Sequence, residues 1–285
     1  MLARKYAEQA EVSMENNEYV KWFKCNPISE LGWEKLLQEE TWAVIEKTLF
    51  ELQTKNRYFP DPTILKLIYA YATRKDCIPN TNGCLKIGTK LYRARIYDED
   101  DAKDRYEKHG MDQFQGYDKK NSGVSDKPTE NRCSPEGIAY LYVAEDEETA
   151  ISEVLSSANE YVSVATIKLL RDVKIFNLGI IASSGCEGGD VKGRRLNSFL
   201  MELANYFKQP VSDNQKKSYL LCQYVSEFVK MLGFDGIAFY SSKMLRNKIN
   251  YTIFNHEDCC DVISSELRHI DVRYYDFLRT QTDIS

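Results

Sequence analysis

Between Arg132 and Glu153 the sequence reads as turn, strand and helix in immediate succession, and that unit limits what the rest of the chain can form. Cys133-Ser-Pro-Glu-Gly137 carries turn chemistry. In Ile138-Ala-Tyr-Leu-Tyr-Val143 alternate side chains share a face, so Tyr140 and Tyr142 point the same way. Asp146 is the expected N-cap, with Glu147 and Glu148 in the first turn, where the helix dipole favours acids. Ala150, Ile151, Val154, Leu155 and Ala158 then form the apolar stripe of a short helix. Glu153 falls off that stripe, and periodicity alone reads it as a solvated charge. Arg132 reads equally well as a surface residue or a carboxylate partner, and Tyr140 and Tyr142 as buried aromatics. Chemistry is expected here because one local unit brings Arg, Tyr and Glu together.

The flanks divide by pattern. Residues 1–85 read as helices: a polar one over Leu2–Asn16, a longer one over Glu34–Asn56, and a third from Ile64 that Asp61 caps. All three Trp (22, 33 and 42) lie here, as core residues, docking anchors or a partner-binding surface. Composition changes at Pro79-Asn-Thr-Asn-Gly83, the expected boundary between a helical N-terminal region (1–85), regulatory or for oligomerisation, and a second domain (86–285). Lys90–Tyr97 alternates as a strand with Arg93 and Arg95 on one face, and 98–131 is a long polar loop of the kind used as a lid or binding element. Strands are expected over Tyr161–Ile167, Val173–Leu178, Phe234–Ser242, Asn250–Phe254 and Leu267–Phe277. Helices are expected over Leu196–Lys208 and Gln215–Leu232, with Gly233 as C-cap.

Charge and cysteine usage remove several classes. A net charge of −5 with a pI near 5.5 argues against general nucleic-acid affinity. No apolar run approaches a membrane span, and Met-Leu-Ala-Arg-Lys lacks the apolar core of a signal peptide. The eight cysteines form no disulfide-like framework, which points to a reducing cytoplasm. His256-Glu-Asp-Cys-Cys260 is the only ligand-like cluster and adjacent cysteines suit zinc poorly, so no metal site is assigned. Ser183–Asp190 lacks the Gly-Lys-Ser/Thr of a P-loop, and Ser241 and Ser242 have no His nearby in sequence for a hydrolase triad.

Five blocks occur in order: Leu-Tyr-Arg93-Ala-Arg95, Arg132-x-Ser-Pro-Glu-Gly-Ile-x-Tyr140-Leu-Tyr142-x-Ala, Asp146-x-x-Thr-Ala-Ile-x-Glu153, Gly-Phe-Asp-Gly-Ile-x-Phe-Tyr-Ser241, and Asn250-Tyr-x-x-Phe254. Together they resemble the RES domain, over roughly residues 88–277. Asn131, Cys133 and Ser134 stand where that family more often has a Gly-Arg-Ala-Asn turn, and the 98–131 loop is longer than in its minimal members.

The resemblance implies an α+β fold: an ADP-ribosyltransferase-like, mixed or antiparallel β core with flanking helices, here preceded by the helical N-terminal region. It also implies an enzyme that consumes NAD+ by cleaving the nicotinamide–ribose bond, as a glycohydrolase or a phosphorylase. NAD+ and phosphate would then be substrates, with no resident cofactor. The setting it implies is a toxin–antitoxin pair or an anti-phage effector, with an antitoxin or regulatory protein over the cleft and a homo-oligomeric toxin. Glu153, Arg132, Tyr142 and Ser241 take the family's catalytic positions, and Arg93 matches a second arginine. Arg95, Tyr140 and Asn250 join Arg93 as expected substrate contacts. An ADP-ribosyltransferase acting on a macromolecule and a non-catalytic binding module remain the two alternatives.

Overall fold

The structure is a computed structural model that describes residues 17–73, 83–98, 100, 116–124, 128–155, 160–179, 190–210, 219–244 and 247–270. Within these residues the chain opens with helices α1 (Glu18–Cys25), α2 (Glu30–Gln38), α3 (Thr41–Thr54) and α4 (Thr63–Thr73). Polar side chains start them. Asn17 accepts the Tyr19 and Val20 N–H groups, Ser29 Oγ that of Gly32, and Asp61 that of Thr63. The single helix expected over Glu34–Asn56 is two, because Glu39 and Glu40 are extended (ψ 150° and 141°). Arg195 holds this break by donating to the Glu39 carbonyl and the Thr41 hydroxyl. The helix expected over Leu2–Asn16, the loop over Ser183–Gly189 and most of the 98–131 loop lie outside the described residues. So does the expected boundary at 79–83, Gly83 apart.

The rest alternates strands with helices: β1 (Cys84–Leu85), β2 (Lys90–Ile96), α5 (Lys119–Ser122), β3 (Leu141–Ala144), α6 (Glu147–Val154), β4 (Glu160–Leu169), β5 (Val173–Asn177), α7 (Val191–Lys208), α8 (Tyr219–Met231), β6 (Gly236–Tyr240), β7 (Ile249–Ile253), α9 (His256–Cys259) and β8 (Cys260–Ile270). The strands form one eight-stranded sheet, ordered β1-β5-β6-β7-β3-β2-β4-β8. Every pairing is antiparallel except β5 with β6. This is the α+β architecture expected. The last strand begins at Cys260 rather than near Leu267, and residues beyond Ile270 are outside the described set. Gly233 ends α8 with φ 77°, a backbone conformation that glycine adopts without strain.

Cross-strand partners share a face of the sheet. One face presents Ile237 and Phe239 to α7 and α8, whose Phe199, Leu203, Phe207, Val225 and Phe228 fill the largest core. The N-terminal helices join the same core: the Phe23 and Phe228 rings lie 4.8 Å apart, and Ile64, Leu65 and Ile68 are fully buried. The opposite face buries Leu91, Leu141, Val143, Ile175, Ala238 and Ile253. A smaller cluster of Ala94, Ala144, Ala150, Val162 and Val164 seats α6 on β2, β3 and β4. No described helix is long and apolar enough to cross a membrane.

Candidate active site

Asp146 caps α6 as the sequence predicts, accepting the Thr149 N–H at 2.8 Å. Burial pushes its carboxyl upward, but hydrogen bonds from Lys248 and Thr149 outweigh this and hold it below the ordinary carboxylate range. The helix so started carries Glu153 back over the sheet. There Ser241 Oγ donates to Glu153 Oε1 at 2.6 Å, and Asn250 Nδ2 donates to the same oxygen at 2.7 Å. Ser241 directly follows β6 and is 1% exposed, while Asn250 lies on β7, paired with Phe239 of β6. The acid is therefore half-buried and doubly hydrogen-bonded, not the solvated charge that periodicity alone suggested. Two donors on one oxygen fix the rotation of the side chain and the direction in which it points.

Arg132 reaches the neighbouring part of the same face. Its Nη1 donates to the Phe207 carbonyl at 2.6 Å in the last turn of α7, where the helix leaves carbonyls unpaired. The guanidinium lies 5.7 Å above the rings of both Tyr219 and Phe239, within cation–π range. The turn that bears Arg132 is fastened from two sides. The Tyr142 hydroxyl accepts the Cys133 N–H at 3.1 Å and lies 3.0 Å from Ser134 Oγ. From α8, Gln223 Nε2 donates to Glu130 Oε1 and to the Asn131 carbonyl at 3.1 and 3.0 Å. Tyr142 keeps part of its surface in solvent, but burial around its hydroxyl pushes that phenol well above its usual pKa. Tyr140 is buried against Phe254, with ring centroids 4.9 Å apart, which makes it a core residue rather than a ligand contact.

Arg93 and Arg95 are not brought to this cluster. Tyr92 pairs with Ala144, and Ala144 with Asn250, so these three share a face; Arg93 and Arg95, at odd spacing from Tyr92, face the other way. There Arg93 donates to the Ser122 and Gly123 carbonyls, and Arg95 donates to the Asn121 carbonyl beside the Tyr117 ring. Burial, with Arg95 close by, pulls the Arg93 guanidinium down to about 10. Their expected role as substrate contacts does not fit this placement, because the sheet separates them from Glu153.

Two further residues at the cluster carry no sequence signal. Lys243 Nζ donates to the Glu153 carbonyl at 3.0 Å, and Lys248 Nζ lies 2.5 Å from Asp146 Oδ2. A surface cleft lined by Leu52, Lys55, Arg57, Glu130, Glu136 and Leu220 includes none of the Glu153 cluster. Among the described residues no group of three His, Cys, Asp or Glu side chains is arranged to hold a metal ion.

One chain of a crystal structure of the M. tuberculosis MbcT–MbcA toxin–antitoxin complex is similar, with 13% identity and a TM-score of 0.37 over 70% of this chain and 93% of that one. Curated protein sequences give no significant match. The family model of the RES domain matches residues 91–275, which contain Arg93, Arg132, Tyr142, Glu153, Ser241 and Asn250. With about two thirds of its length under that model, the chain belongs to the RES domain family.

Proposed function

We propose that this chain cleaves the nicotinamide–ribose bond of NAD+ and serves as the toxin of a toxin–antitoxin pair. In this reading the C–N bond breaks with its electron pair going to the ring nitrogen. Nicotinamide leaves neutral, and the ribose carbon gains oxocarbenium character, as in glycosidic cleavage generally. Glu153 faces that developing positive charge. A single preorganised group of this kind contributes roughly 3–4 kcal/mol of barrier lowering. Ser241 and Asn250 hold the carboxyl group in one orientation, and Ser241 is a donor rather than a nucleophile. Arg132 grips the diphosphate; a guanidinium has five N–H donors, and the bond to Phe207 uses one of them. The Tyr142 ring borders the ribose and nicotinamide, while its hydroxyl anchors the Arg132 turn.

The observation that carries this reading is the shared hold of Ser241, just after β6, and Asn250, on the adjacent β7, on one oxygen of Glu153 in a RES domain. Water as acceptor gives ADP-ribose, and phosphate gives ADP-ribose-1″-phosphate. Purified protein incubated with labelled NAD+, with and without phosphate, tests it: free nicotinamide with either small product supports the proposal. Label transferred to a macromolecule would make the chain an ADP-ribosyltransferase, and intact NAD+ would make it a binding module.

A further inference from the structure

We infer that Lys243 is a positioning residue for Glu153, which rests on reading Glu153 as the charge-stabilising carboxylate. Lys243, just after β6, and Lys248, just before β7, hold α6 at its two ends. At its start, Lys248 Nζ lies 2.5 Å from the N-cap carboxylate of Asp146, and the Glu145 N–H donates to the Ile249 carbonyl at 3.1 Å. At its end, Lys243 Nζ donates to the carbonyls of Glu153 at 3.0 Å and Leu155 at 3.4 Å. A helix runs out of internal donors in its last turn and leaves negative potential there, so an ammonium at these carbonyls fixes where the turn ends.

The same residue reaches the side chain of Glu153 by a second route. The Lys243 N–H donates to Ser241 Oγ at 3.2 Å, which directs the hydroxyl hydrogen of Ser241 toward Glu153 Oε1 at 2.6 Å. Asn250 donates to that same oxygen at 2.7 Å, so among the described residues Oε2 is the oxygen that takes no donor and can meet substrate. Lys243 thus sets both the backbone from which the acid projects and the donor that sets its rotation. Its side chain touches helix carbonyls, not the reacting atoms. An error on the order of 1 Å at a reacting group lowers rate by about a hundredfold, so a small shift at the end of α6 is legible in turnover.

Lys243 is exposed, so replacing it opens no core. The test compares Lys243→Met, Lys243→Arg and Glu153→Gln with the unaltered full chain, by steady-state NAD+ kinetics and thermal unfolding. Lys243→Met should lower kcat about fivefold, a fraction of the roughly hundredfold that an error on the order of 1 Å brings, with KM little changed and the midpoint lower by no more than the small effect of one cation at a helix C-terminus. Lys243→Arg should recover most of the loss. Unchanged kcat in Lys243→Met overturns the inference, as does a higher KM at constant kcat, which would make Lys243 a substrate contact. A lower midpoint with kcat intact overturns it too, leaving only a structural role. If the unaltered chain fails to consume NAD+, or Glu153→Gln matches it, the underlying reading falls instead.

Discussion

Tyr142→Phe removes one oxygen and keeps the ring, so its effect isolates the fastening of the Arg132 turn. The lost hydroxyl accepts the Cys133 N–H at 3.1 Å and contacts Ser134 Oγ at 3.0 Å. Cys133 and Ser134 are 0% and 1% exposed, so no water reaches the orphaned N–H. The Ser134 hydroxyl stays free to rotate; the direction of the amide is fixed by the backbone. A buried donor left unpaired costs about 1–3 kcal/mol, and with the ring packing retained the lower half of that range, about 1–2 kcal/mol, is expected. For a chain of this size that corresponds to a fall in Tm of roughly 3–6 °C. Guanidinium chloride unfolding followed by tryptophan fluorescence should show a lower midpoint with an unchanged slope. Tyr140→Phe is the matched comparison, since the Tyr140 hydroxyl makes no hydrogen bond among the described residues. It should stay within about 0.5 kcal/mol of the parent. Equal midpoints for the two variants would refute the fastening.

Gly236→Ala should destabilise the chain by about 1–3 kcal/mol, because the added Cβ would sit 2.5 Å from the backbone carbonyl of Thr252 and 3.0 Å from Ile175 Cδ1. A neutral result in thermal unfolding would mean that β6 and β7 move apart freely at this pair. Asp172 accepts the Ile87 N–H at 2.8 Å and the Lys86 ammonium at 3.0 Å, and these hold its carboxyl below the usual range. The folded state therefore binds this proton more weakly than the unfolded state does. Its stabilisation is complete above the unfolded pKa of about 4 and disappears as pH falls through the lower folded value. Asp172→Asn should be less stable than the parent at neutral pH, with the gap closing in acid. A gap that persists unchanged at low pH would remove the carboxylate from the explanation.

The turn–strand–helix unit was legible because each signal is local: the Asp146 cap, the apolar stripe of α6 and the alternation around Tyr142 all lie within a few residues of what they specify. Gly233 was legible for the same reason. The first half of β8 was not, because it belongs to an edge strand and carries Asp261, Ser264 and Ser265, and a half-solvated strand needs no apolar alternation. The break between α2 and α3 is marked by neither Gly nor Pro, and it depends on Arg195 from a helix more than 150 residues away. Periodicity placed Arg93 and Arg95 on one face, but only the pairing of Tyr92 with Ala144 decides which face that is. Glu153 shows the limit most clearly. Its position on the helical wheel reads as solvent, and the donors that hold it arrive from strands about 90 residues further on. Family resemblance identified it where the helical pattern did not.

The central claim is that the acid held by Ser241 and Asn250 does the chemistry. The most direct measurement is nicotinamide release from NAD+ by the purified chain and by Glu153→Gln, with unfolding curves to establish that both are folded. The account predicts rapid release by the parent and a loss of at least about a hundredfold in the variant, in the range set by removing one preorganised charge-stabilising group. A folded Glu153→Gln that releases nicotinamide at the parental rate would contradict it.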